Sequence, residues 1–131
     1  MSITAMLPLE KTLPRDYDDV LAAIPAALAT EGFGVLTQID VRETLNAKLG
    51  VPFRRYKILG ACNPALAHGA LQVSLDVGLM LPCNVLVYED GGATVVKAID
   101  PTRTLAAEKV ELRPLAEEVR AKLARFIERL L

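Results

Sequence analysis

Two runs of strand-forming residues, Cys83 to Glu89 and Ala93 to Ile99, flank Asp90-Gly91-Gly92. Turn residues that accept positive φ between two such runs define a β-hairpin. A chain holding this hairpin must build a sheet around it. Helical periodicity elsewhere makes the class α+β. Apolar residues Tyr17, Val20, Leu21, Ile24 and Leu28 form a one-faced stripe from Asp16 to Thr30. Pro25 falls inside that stripe, where it removes one intrahelical bond and predicts a kink. Gly32 supplies the stop.

The remaining elements follow from local signals. Ile3 to Leu13 reads as a first strand, confined by Pro8 to an edge or a late start. Phe33 to Ile39 is a second strand. Asp40-Val41-Arg42-Glu43 is a capping-box pattern opening a helix that stops at Gly50. Tyr56 to Ala61 is a third strand, and Pro64 to about Ser74 a further helix. The segment Leu75 to Pro82 reads as an irregular return. Asp100-Pro101 opens a loop or short helical turn, and a last helix starts near Arg113 with the stripe Leu115, Val119, Leu123, Phe126 and Leu130. No repeat or linker divides the 131 residues, so one domain over 1–131 is expected.

Composition removes several functional classes. Net charge is −1, which gives no electrostatic reason to bind nucleic acid or an anionic membrane. Arg54, Arg55 and Lys57 are the only tight basic cluster and read as a solvated strand end. No apolar run reaches the roughly 18 residues of a membrane helix, and no secretory signal is visible. A cytoplasmic protein with reduced thiols is the expectation. Aromatic residues are only 5%, so the core must come from Leu, Val, Ile and Ala.

The candidate site rests on two cysteines, each followed by asparagine: Cys62-Asn63-Pro64 and Cys83-Asn84. Asn63 is a favoured N-cap and Pro64 suits the first helical position. Cys62 therefore lies just outside a helix amino end, where free amides favour a thiolate. If the two strands are parallel neighbours, the thiols lie roughly 20 Å apart at about 3.3 Å per residue. If they are adjacent and antiparallel, both thiols fall at one edge and can approach within a few ångströms. Such a pair suits redox chemistry, sulfur carriage or a soft metal. His68 is the only histidine and lies one helical turn beyond Cys62, but the spacing of Cys62, His68 and Cys83 matches no standard metal motif. The bland alternative is that both cysteines pack as small hydrophobes. Asn63 and Asn84 are caps or turn formers on one reading and polar walls of a ligand site on the other. Asp40 and Asp100 read as structural caps.

The segments Glu31 to Asp40, Tyr56 to Pro64, Leu81 to Val85 and Ala98 to Pro101 resemble the bacterial and archaeal family called domain of unknown function 302. The resemblance spans about residue 15 to the last helix. It implies a fold similar to half of the TATA-box-binding-protein saddle, a homodimer, and the antiparallel placement of the two cysteine strands. It names no reaction and no cofactor, and it does not imply DNA binding.

The architecture expected from residues and resemblance together is one twisted antiparallel sheet of about five strands with helices on one face. Two functional readings follow. One is a dimeric small-ligand or thiol-site protein, with Cys62 as the reactive sulfur, Cys83 its partner, and Asn63 and Asn84 lining the site. The other is a non-enzymatic dimeric binding module whose cysteines are structural.

Overall fold

A computed structural model describes residues 9–131. The strands are β1 (Glu10–Leu13), β2 (Gly34–Asp40), β3 (Tyr56–Cys62), β4 (Cys83–Asp90) and β5 (Ala93–Ala98). The helices are α1 (Tyr17–Ala29), α2 (Val41–Leu49), α3 (Pro64–Val73), the short α4 (Leu105–Glu108) and α5 (Arg113–Arg129). The strands form one five-stranded sheet in the order β1-β5-β4-β3-β2. Every neighbouring pair is antiparallel, so the class is α+β as expected. The part of the predicted first strand that precedes residue 9 lies outside the described residues.

Register decides which side chains meet the helices. Leu59 faces Val85, Ala61 faces Cys83, and Val87 faces Val96 across the central strands. These side chains share one core cluster with Val20, Ile24 and Leu28 of α1 and with Val119, Leu123 and Phe126 of α5. Helices α1 and α5 therefore cover one face of the sheet. Side chains alternate along a strand. Tyr56, Ile58, Leu86, Tyr88 and Val95 consequently point to the other face, and none of them belongs to either core cluster.

Local chemistry explains the element ends. Asp16 caps α1 by accepting from Asp18 N at 3.0 Å. The helix runs on through Pro25, whose ring is exposed while Ile24 and Leu28 on either side are fully buried. Burial of that stripe outweighs the one lost hydrogen bond, so the proline does not divide the element. Gly32, at φ +81°, closes α1. Asp40 Oδ1 accepts from Glu43 N at 2.9 Å, and Gly50 ends α2 at φ +65°. Between Val35 and Thr37 the register of β2 shifts by a bulge, which leaves Leu36 exposed.

One segment differs from the sequence expectation. Leu75–Met80 is a 3-10 helix rather than an irregular return. Its Val77 is fully buried in a second cluster with Ala70, Leu105, Leu112 and Ala116, and that anchor orders the segment.

Candidate functional site

The end of β3 and the start of α3 build a small, mostly apolar cavity. Asn63 Oδ1 accepts from Leu66 N at 3.3 Å, which is the predicted cap. Its Nδ2 donates to the Glu31 carbonyl at 3.2 Å, tying the α1 terminus to the α3 start. A Cβ on Gly32 would stand 2.8 Å from that same Nδ2, so glycine is needed there for space as well as for its backbone. Beside this junction lies a cavity of about 20 Å³, bordered by Cys62, Asn63 and Cys83 and otherwise walled by apolar side chains such as Phe33, Leu66 and Leu115. That is room for one or two water-sized groups.

Asn63→Ala removes both the cap and the strut to Glu31. It is expected to lower the unfolding free energy by about 1–2 kcal/mol. Asn63→Asp keeps the cap acceptor and loses only the donor, so chemical denaturation should rank it between the two.

The cysteines correct one expectation. Their strands are antiparallel neighbours, with both residues at the same end, yet the thiols do not form a pair and are not near each other. Ala61, not Cys62, stands opposite Cys83, and Cys62 lies one residue farther on, where the chain leaves the sheet. Both are free. Burial pushes the Cys83 thiol up to about 11, with Cys62 adding a smaller share. Cys62 is half-buried.

The other predicted site residues do not converge. Asn84 is exposed and pairs in register with Gly60, one residue out of phase with Cys83 and so on the sheet face opposite α1 and α5. His68 places its Nε2 3.0 Å from Gln72 Nε2 on the outer side of α3. Among the described residues no group of three or more His, Cys, Asp or Glu is assembled to hold a metal.

Two polar networks were invisible in the sequence. Arg55 meets Glu89 Oε2 at 3.0 Å, Asp18 Oδ2 at 3.2 Å and Asp16 Oδ1 at 3.8 Å, with its guanidinium 4.7 Å from the centre of the Tyr17 ring. Backbone and side-chain hydrogen bonds from Arg55 hold the Glu89 carboxyl below its ordinary range. Arg54 pairs with Asp90 at 3.4 Å. Arg55 is thus a strut that ties the start of β3 to α1 and β4, while the Arg54–Asp90 pair is solvent-exposed. Glu31, only 6% exposed, meets Arg125 at 2.9 Å and Arg129 at 3.1 Å. The i,i+4 spacing of those arginines on α5 was the available signal, but nothing in the sequence points to Glu31 as the partner.

Asp100 is structural, as read. Burial works to raise its carboxyl, but hydrogen bonds from Thr102 and Arg120 outweigh that and hold it low.

The model of the family described as domain of unknown function DUF302 matches residues 9–130. The chain belongs to the DUF302 family. A crystal structure of an uncharacterized conserved DUF302 protein from Bacillus stearothermophilus is similar, with 31% sequence identity and a TM-score of 0.85. That match covers 94% of this chain and 98% of the other. No curated protein matches. The motifs that carried the resemblance map onto β2, the β3–α3 junction and the start of β4, so the DUF302 match takes in the cavity and both cysteines. No helix among the described residues is long and apolar enough to cross a membrane.

Proposed function

We propose that this DUF302 protein is a non-catalytic homodimeric binding module whose copies meet through the uncovered face of the sheet, with its cysteines serving the core. One observation carries the reading: the centre of that face is apolar, and among the described residues no helix packs on it. Tyr56 and Tyr88 stack with ring centroids 5.3 Å apart and planes 7° from parallel. Ile58, Leu86 and Val95 share their face. Tyr56, Ile58, Leu86 and Tyr88 are half-buried and Val95 is buried, so a second copy would complete a face that is already partly packed. The charges near it, Glu10 with Lys97 and Arg54 with Asp90, are already paired, so two identical faces do not repel.

Sedimentation velocity tests the proposal. The wild-type chain should be dimeric in the micromolar range. Leu86→Lys, at the centre of the face, should weaken the dimer about 30-fold or more while leaving circular dichroism unchanged. A wild-type chain that stays monomeric throughout that range overturns the reading.

The cavity beside Cys62 favours a second reading, a thiol site for a small ligand, a carried sulfur or a soft metal. Protein purified without reductant is expected to show a discrete extra mass on this reading and the bare sequence mass on the first. Iodoacetamide mapping separates the thiols in either case. Cys83 should resist alkylation at neutral pH until the chain unfolds, whereas Cys62 should react in the folded state.

A further inference from the structure

Helix α3 is a lightly anchored wall of the cavity beside the cysteines. Its Leu66, Ala67 and Ala70 line that cavity together with Cys83 of β4. Of its ten residues only Ala70 is buried. Helix α5 lines the same cavity through Leu115 and Val119 and buries six of its own residues. Ala70 packs in the second cluster with Val77, Leu105, Leu112 and Ala116, so the carboxyl half of α3 is fixed. The amino half differs. Pro64 and Ala65 are exposed there, and Leu66 and Ala67 are half-buried. Gly69 stands between the halves, and glycine inside a helix weakens it.

The amino half is tied down through Asn63, whose Nδ2 reaches the Glu31 carbonyl. The turn carrying that carbonyl is rigid. Gly32 N donates to the Ala29 carbonyl at 3.0 Å, and Phe33 N donates to that of Leu28 at 3.1 Å. The Glu31 carboxylate is gripped by Arg125 on one oxygen and by Arg129 on the other. A fixed catch thus meets a loosely packed helix end through one side-chain hydrogen bond from Asn63. The net worth of such a bond in water is small, so this junction opens far more readily than the whole fold.

We infer that the amino half of α3 is a lid over the cavity, latched by the Asn63–Glu31 hydrogen bond and hinged at Gly69, whose opening admits small molecules to Cys83. As a way in for a ligand, the lid rests on the thiol-site reading above. As a motion, it stands on the packing alone.

The test reads Cys83 in a Cys62→Ser background, where it is the single thiol. Iodoacetamide is the reagent, at neutral pH and in urea well below the unfolding midpoint. With the latch intact, Cys83 labels slowest. Asn63→Asp loses the donor to Glu31 and should raise the rate about 5-fold or more, with almost no dependence on urea. Adding Gly69→Ala stiffens the hinge and should take back about 3-fold. A Cβ there meets Leu115 Cδ1 at 3.4 Å, an ordinary contact. Phe126→Leu is the control, because it lowers global stability without touching the latch. Suppose instead that labelling of Asn63→Asp climbs with urea as steeply as global unfolding, or that Phe126→Leu labels as fast at equal global stability. Cys83 is then reached only by unfolding, and the lid is refuted. The extra mass of protein purified without reductant is read separately, so a failed lid and a failed thiol site are told apart.

Discussion

Phe126→Ala is expected to lower the unfolding free energy by about 3–5 kcal/mol, the range for truncating a buried aromatic. The chain has only three phenylalanines, and this one is fully buried. It projects from α5 into the cluster that also holds Ile24 and Leu28 of α1 and Val85 and Val87 of β4. Truncation leaves a void beneath both covering helices, and the close-packed neighbours cannot collapse to fill it. Domains of this size have about 5–15 kcal/mol in total, so the variant should be close to unfolding at physiological temperature. Phe126→Leu keeps most of the volume and should cost well under half as much. Urea denaturation at one fixed protein concentration measures both, since association shifts apparent stability. A cost below about 1 kcal/mol for Phe126→Ala would mean that α5 is not held by this contact.

The predicted elements were legible because their signals are local. Asp90-Gly91-Gly92 requires a turn whatever surrounds it, and Gly91 takes φ +61° there. Asp40 and Asn63 cap helices through amides three residues away, so their roles are written within four positions. The stripe in α5 needed only its own periodicity. Residues joined across the fold were not legible. Glu31 and Arg125 are separated by 94 positions, and Arg55 and Glu89 by 34. The cysteine expectation failed on a finer point. Strand direction was inferred correctly, but register was not available, and a single position places Ala61 rather than Cys62 opposite Cys83. Helix α2 shows the reverse case. Its capping box was plain in the sequence, yet that it buries nothing appears only in three dimensions.

Alkali should expose the role of Cys83. Burial first, and Cys62 to a lesser degree, push its thiol from an ordinary 9.0 up to about 11. Below pH 9 both folded and unfolded chains keep the proton, and the contribution to stability is complete. Between the two values the unfolded chain releases it and the folded chain does not, so stability falls as pH rises and levels off once both are ionised. Two pKa units correspond to about 2–3 kcal/mol. Tyr17, pushed up to about 12 mainly by burial, adds a second fall at higher pH. Urea midpoints of the wild-type chain from about pH 8 to about pH 11 should therefore decline, and those of Cys83→Ala should decline less over the same interval. Cys83→Ala will start lower, because it also removes a packed sulfur, so the comparison is of slopes. Equal slopes would assign the alkaline loss to another group and return Cys83 to the list of candidate nucleophiles. A flatter slope would show a thiol that the fold keeps protonated, which leaves Cys62 as the cysteine able to react in the folded protein.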